Sequence, residues 1–184
     1  MPKLLVLFHS RSPDVLALAD AAVEGARSVR FAEVDLRRLE APEPNPHAAA
    51  PDAVGRSHRT LAHGDDLATY DGLILVLPGE GDGAAIVTAA LEAAGGSLAN
   101  RVGSVVTAAM GEGRNAVLWA ALTPMADRGM ILVPAPFADG EAPVAESARR
   151  TGKRVAEVIS WVTHARSHHH HEPHQHDHHS HHHH

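Results

Sequence analysis

The chain has 184 residues, of which 44% are hydrophobic and 21% are charged, and its formal net charge at pH 7 is -6. This size and composition are typical of one globular domain with a substantial core. The absence of cysteine excludes disulfides, thiolate catalysis and cysteine-ligated metal sites. The negative charge, without a large Lys/Arg cluster, argues against nucleic acid as a partner.

The sequence shows no sign of a membrane segment. No apolar run approaches the roughly 20 residues that a helix needs to cross a bilayer, so we expect no membrane partner. The first residues also lack the basic and apolar pattern of a secretion signal. We therefore expect a cytoplasmic protein.

The first third of the chain alternates between strand and helix patterns. The continuous apolar run "KLLVLF" (3–8) is typical of a strand that is covered on both faces. "SPDVLALADAAVEGARS" (12–28) has apolar residues at three- and four-residue spacing, which predicts a helix. "RFAEVDLRR" (30–38) alternates apolar and polar residues and predicts an edge strand with one solvated face. Residues 40–66 are rich in proline and small residues and predict a long irregular connection.

The same two patterns alternate through the rest of the domain. Three further apolar runs predict buried strands at residues 72–78, 101–109 and 129–134. Three further segments with helical spacing predict helices at residues 83–96, 113–129 and 143–162. This order is that of a doubly wound α/β sheet, in which each crossover is a helix packed on one face or the other. We predict five parallel strands with helices on both faces, in one domain over residues 1–165.

The turn "HSRSPDV" after the first strand has two interpretations. A phosphate site at a strand-to-helix turn needs free backbone N–H groups and small hydroxyls at the positive end of a helix, and Ser10, Arg11 and Ser12 meet part of that need. Pro13, however, has no N–H, and Asp14 brings a carboxylate to the start of the helix. Ser12 as the N-cap and Pro13 at the first helical position would also form a complete helix start without a ligand.

Four segments follow one another in an order and spacing known from other proteins. They are "KLLVLFHS" (3–10), "LATYDGLILVLP" (67–78), "AALEAAGGSLANRVGSVVTAA" (89–109) and "LTPMADRGMILVPAP" (122–136). Together they resemble the flavodoxin-like family and, within it, the WrbA-type NAD(P)H:quinone oxidoreductases. The resemblance implies a flavodoxin-like fold, FMN as the cofactor, NAD(P)H and a quinone as substrates, and a homo-oligomer.

The resemblance also implies where FMN would bind in the first two loops. In the first loop Ser10 and Ser12 match the hydroxyl residues of the family's phosphate turn, although Pro13 stands where the family has glycine. In the second loop Pro78 matches, and the backbone amides of Gly79 and Gly81 can approach the edge of an isoalloxazine ring. The family's aromatic residue of this loop is absent, because Gly81 takes its place.

The third loop, "TAAMGEGRN", keeps two of the family's glycines, Gly111 and Gly113. Its alanines replace hydroxyl residues of the family pattern. Arg11 or Arg114 could replace the lost phosphate donors with a guanidinium fork. Alternatively, both arginines are solvated surface residues.

If FMN binds, the resemblance implies hydride transfer from NAD(P)H to the flavin and two-electron reduction of a quinone. The flavin carries this chemistry, so no catalytic acid or base is assigned. His9 would lie near such a flavin, but a single histidine at a strand end is also typical of a structural, hydrogen-bonded residue.

The last seventeen residues, "HHHHEPHQHDHHSHHHH", contain twelve histidines and no apolar side chain. They predict a disordered tail, with its boundary at residue 166. Neutral imidazole binds Ni, Zn, Cu and Co, so an alternative function is a flavin-free protein that binds, stores or delivers such a metal through the tail. An added affinity tag would also be rich in histidine, but the interrupted pattern favours a native segment. The predicted metal ligands are His168, His169, His170, His171, His174, His176, His178, His179, His181, His182, His183 and His184.

Overall fold

The fold is described on a computed structural model of the chain. The structure describes residues 1–9, 12–30, 32–39, 60–61, 67–79, 83–93, 97–111, 113–135 and 143–168. The predicted disordered tail lies outside the described residues from position 169 onward.

The described strands form one parallel sheet. They are β1 (Lys3–Phe8), β2 (Glu33–Leu39), β3 (Thr60–Leu61), β4 (Gly72–Leu77), β5 (Val102–Thr107) and β6 (Ile131–Leu132). The order across the sheet is β3-β2-β1-β4-β5-β6, and every neighbouring pair is parallel. The five predicted strands are confirmed. The structure adds the two-residue strand β3 inside the segment that was predicted to be irregular.

The predicted burial of the strands is found only in part, because β6, predicted as a buried strand, is a two-residue edge strand in which Ile131 is exposed. β4 and β5 are buried along their whole length, as their continuous apolar sequences predict. β2 pairs with β1 along most of its length but with β3 only at Arg38 and Leu39, and its burial is mixed. The prediction of β2 as an edge strand is therefore wrong, because β3 pairs with its end and takes the edge position in the described sheet.

Four helices in the described part of the chain cover the two faces of this sheet. They are α1 (Pro13–Arg27), α2 (Gly83–Ala93), α3 (Gly113–Asp127) and α4 (Val144–His168), and a short 3-10 helix spans Leu67–Thr69. Leu4, Val6 and Phe8 of β1 enter the core beneath α1 and α4. Leu5 and Leu7 enter the core on the side of α2 and α3. Alternate residues of β1 thus pack into two cores, one on each face of the sheet. This confirms the predicted doubly wound architecture.

Two glycines allow α1 and α4 to approach each other closely. A Cβ added at Gly25 would lie 1.9 Å from the carbonyl oxygen of Arg149, and one added at Gly152 would lie 1.9 Å from that of Ala22. No side chain fits at such distances, so the helices touch through their backbones. Arg149 also forms an ion pair with Glu24 at 2.9 Å, which joins the two helices at their exposed rim.

α4 continues beyond the predicted domain boundary. The helix runs to His168, and the guanidinium of Arg166 donates to the backbone carbonyl of Asn100, just before β5. In the part of the chain that the structure describes, no helix combines the length and the apolar character needed to cross a membrane.

Candidate functional site

The carboxyl ends of β1, β4 and β5 lie side by side at one edge of the sheet. The backbone N–H of His9, directly after β1, donates to Val76 of β4 at 3.1 Å. The N–H of Ala108, directly after β5, donates to Leu77 of β4 at 3.0 Å. From β1 the chain leads to β2 on one side and later to β4 on the other. This reversal of strand order is where ligands bind in doubly wound sheets.

The loops after β4 and β5 are joined into one unit. The hydroxyl of Thr107 donates to the Pro78 carbonyl at 3.2 Å and accepts the N–H of Ala109 at 3.1 Å. Gly79 packs against the other loop so closely that an added Cβ would lie 3.0 Å from the backbone nitrogen of Ala109 and 3.1 Å from the carbonyl of Ala108. Glycine at position 79 thus allows a close approach of the two backbones that a larger residue would have to widen.

The start of α3 presents open backbone to the same edge. Gly111 has a φ of +65°, a conformation that favours glycine. A Cβ at Gly111 or at Gly113 would meet nothing within 4 Å. Met110, next to them, is 72% exposed. A flat ring could therefore contact peptide groups and one apolar side chain here.

Arg114 is partly buried beside this open backbone. Its N–H donates to the Gly111 carbonyl at 3.2 Å, and its guanidinium Nη2 donates to the Ser147 hydroxyl of α4 at 3.4 Å. Its Nε atom is buried and has no hydrogen-bond partner among the described residues. The side chain is therefore held across the sheet edge rather than extended into water.

The first loop is described only where it enters α1. Ser12 is the N-cap with an extended backbone, Pro13 occupies the first turn, and Asp14 is the acidic residue of that turn. The predicted helix start is thus confirmed, although the Ser12 side chain makes no capping hydrogen bond. Ser10 and Arg11 lie outside the described residues, as does Gly81 of the second loop.

The ring of His9 is partly buried at the end of β1. Burial lowers the pKa of His9, and a hydrogen bond with the Leu39 backbone opposes this by a smaller amount. The ring is therefore neutral at pH 7. The Nδ1 atom is buried and has no hydrogen-bond partner among the described residues.

The structure offers no metal site in its described part. No group of three or more His, Asp or Glu residues there could hold a metal ion. His168 is the last residue of α4, and the other tail histidines lie outside the described residues. Metal binding by the tail therefore stays a prediction.

Sequence reasoning missed three residues of this edge. Thr107 joins two loops, Ser147 receives Arg114, and Met110 is the exposed apolar residue. The only local signal was the position of Thr107 at the end of a buried strand and of Met110 in a glycine-rich turn. The contact of Ser147 depends on how α4 lies across the sheet edge.

The sequence was compared with protein-family models and with known proteins. No protein-family model matches it. An NAD(P)H dehydrogenase (quinone) of Acidithiobacillus ferrooxidans is 36% identical over 145 residues, which cover 74% of this chain and 72% of that protein.

Two solved structures with a similar fold are flavodoxins. Oxidised flavodoxin 2 of Bacillus cereus has a TM-score of 0.57 and 19% identity, and covers 85% of this chain and 99% of its own. The flavodoxin of Streptococcus pneumonia TIGR4 has a TM-score of 0.54 and 12% identity, with coverage of 85% and 99%. The sheet order and the related sequence agree: this chain belongs to the NAD(P)H dehydrogenase (quinone) family and has a flavodoxin-like fold.

Proposed function

We propose that this protein is an FMN-dependent oxidoreductase that takes electrons from NAD(P)H and reduces a quinone by two electrons. The observation that carries the proposal is the 36% identity to an NAD(P)H dehydrogenase (quinone) over most of both chains. The strand order supports it, because flavodoxin-like sheets bind FMN at the reversal point that lies here between β1 and β4.

The described residues fit the ring of FMN. Gly79, Gly111 and Gly113 expose peptide groups along one edge, and nothing fills the space beside the last two. Thr107 keeps the two loops together, so their peptide groups are held in place before any ligand arrives. The exposed side chain of Met110 offers an apolar contact for a ring.

The phosphate end is less favourable on the described residues alone. α1 starts at the right place, with Ser12 as its N-cap, but Pro13 removes one N–H donor and Asp14 adds a negative charge. We propose that Ser10, Ser12 and the guanidinium of Arg11 or Arg114 offset this loss. A fixed guanidinium suits a phosphate well, and Arg114 has a buried Nε without a partner in the described structure.

The roles of the protein side chains are to bind and to orient. FMN, when bound, supplies the hydride and two-electron chemistry. The paired loops would hold its ring against peptide groups, and the exposed Met110 would lie on the side where an apolar quinone enters. No described side chain needs to act as an acid or a base.

The first test is retention of FMN. Protein purified without metal affinity is incubated with FMN and desalted, and visible absorption and fluorescence then measure bound flavin. We expect about one equivalent. Ser12→Glu should weaken FMN binding at least tenfold, since its carboxylate would repel the phosphate, whereas Ser28→Glu at the other end of α1 should bind like the wild type. If Ser12→Glu bound FMN as tightly as the wild type, that result would contradict a phosphate site at this turn.

We also propose a homo-oligomer, which the resemblance to WrbA-type proteins implies. α3 supports this proposal, since it presents an exposed indole, Trp119 (60% exposed), between the exposed alanines Ala116 and Ala120. Sedimentation equilibrium should show a defined oligomer that Trp119→Glu dissociates. Trp161→Glu, which changes an equally exposed indole on α4 (57%), is the matched control and should leave it intact. A monomeric wild-type protein would refute the proposal.

A further inference from the structure

His9 lies at the point of the sheet where the proposed cofactor site begins. It follows β1 directly, and its N–H donates to Val76 of β4 across the reversal point. Leu7, two residues earlier, belongs to the core under α2 and α3, so strand alternation places the His9 side chain on the same side. Leu39, at the end of β2, packs against that core as well.

The two ring nitrogens of His9 have different surroundings. The hydrogen bond with the Leu39 backbone favours the protonated ring, so the carbonyl of Leu39 is the acceptor. Since Nδ1 has no partner among the described residues, we assign the bond with Leu39 to Nε2. In a neutral ring Nδ1 then carries the lone pair and is a hydrogen-bond acceptor.

A buried acceptor without a donor is costly and therefore uncommon in native proteins. An apolar residue such as leucine, as at positions 5 and 7 of the same strand face, would fill this position without that cost. The presence of histidine points to a donor that arrives with a ligand. The bond assigned to Leu39 uses Nε2, so Nδ1 remains available to accept a hydrogen bond from a ligand.

The chemistry of FMN limits what that donor can be. A phosphate dianion has no proton to donate at neutral pH, whereas the ribityl chain between the phosphate and the ring carries hydroxyl groups. His9 lies between β4, whose loop would hold the ring, and the turn into α1, which would hold the phosphate. We propose that Nδ1 of His9 accepts a hydrogen bond from a ribityl hydroxyl of the cofactor. This inference rests on the proposed function and makes His9 a residue that binds the sugar-alcohol chain.

Two amide variants separate the two nitrogens of His9. In His9→Asn the side-chain oxygen falls near the position of Nδ1, which keeps the acceptor and loses the donor to Leu39. In His9→Gln the side-chain nitrogen falls near the position of Nε2, which keeps the bond to Leu39 and loses the acceptor. The dissociation constant of FMN is measured by quenching of flavin fluorescence, and the stability of each protein without FMN is measured by thermal unfolding.

We expect His9→Gln to bind FMN about tenfold more weakly than the wild type while it unfolds at a similar temperature. His9→Asn should bind FMN within about threefold of the wild type but unfold at a lower temperature. The reverse order of affinities would overturn the proposal. So would wild-type affinity in His9→Gln, which would mean that Nδ1 serves only the fold. If the wild-type protein itself binds no FMN, the proposed function fails and the inference with it. If the wild type binds FMN and His9→Gln binds it equally well, only this inference fails.

Discussion

The contact between α1 and α4 gives a sharp test of the fold, through Gly152→Ala. The added methyl group would lie 1.9 Å from the carbonyl oxygen of Ala22, so the helices must separate by about 1.5 Å to restore an ordinary contact. Backbone cannot rotate away as a side chain can. Overpacking of this kind costs about 3 kcal/mol at its upper range, and the better helix propensity of alanine returns about 1 kcal/mol.

We therefore expect Gly152→Ala to lower the free energy of unfolding by about 2 kcal/mol and the Tm by about 4–8 °C. Urea unfolding followed by circular dichroism measures the first quantity, and a thermal scan measures the second. Gly113→Ala is the matched control, since a Cβ there meets nothing within 4 Å, and it should change the stability by less than about 1 kcal/mol. A Gly152→Ala protein as stable as this control would refute the close approach of the helices.

Three further predictions concern the loop junction, the exposed ion pairs and the tail. Thr107→Val removes both hydrogen bonds of the Thr107 hydroxyl at the junction of the second and third loops, so it should cost about 1–3 kcal/mol of stability and weaken FMN binding. Thr107→Ser retains both hydrogen bonds and is the control. Urea unfolding measures the stability, and FMN titration measures the binding. Arg149→Met should raise the pKa values of Glu24 and Glu146, which hydrogen bonds from Arg149 now lower, as followed by NMR titration. The wild type should accordingly lose stability relative to this variant as the pH falls through those lowered pKa values, because both carboxylates are then protonated. Calorimetric titration of Ni or Zn should show several bound ions in the full chain and none after removal of residues 168–184, with weaker binding below pH 6.5, the approximate pKa of free histidine.

The sequence predicts the central strands of the sheet well, because a strand that is buried on both faces has a continuous apolar sequence. β4 and β5 are wholly buried and read as unbroken apolar runs. β3 has no such sequence signal, since a strand of two residues is too short to show any periodicity. Its pairing with β2 depends on the tertiary structure, and the segment around it is rich in proline.

The candidate site was predictable in position but not in detail. Strand ends give the loops, and Ser12 and Pro13 give the start of α1, because both signals are local. The bridge made by Thr107 and the contact of Arg114 with Ser147 depend on which loops and helices become neighbours. Sequence periodicity carries no information on such contacts. The unpartnered Nδ1 of His9 likewise emerges only when the end of β2 is placed beside it.

The proposed function is that this chain transfers electrons from NAD(P)H to a quinone through FMN. The most direct measurement is an anaerobic stopped-flow experiment on protein loaded with FMN and desalted, in which flavin absorbance is followed after mixing with NADH or NADPH and then with benzoquinone. We expect the flavin absorbance to bleach with the nucleotide and to return in full with one equivalent of quinone. Retained flavin that neither nucleotide reduces, or reduced flavin that the quinone does not reoxidise, would contradict it.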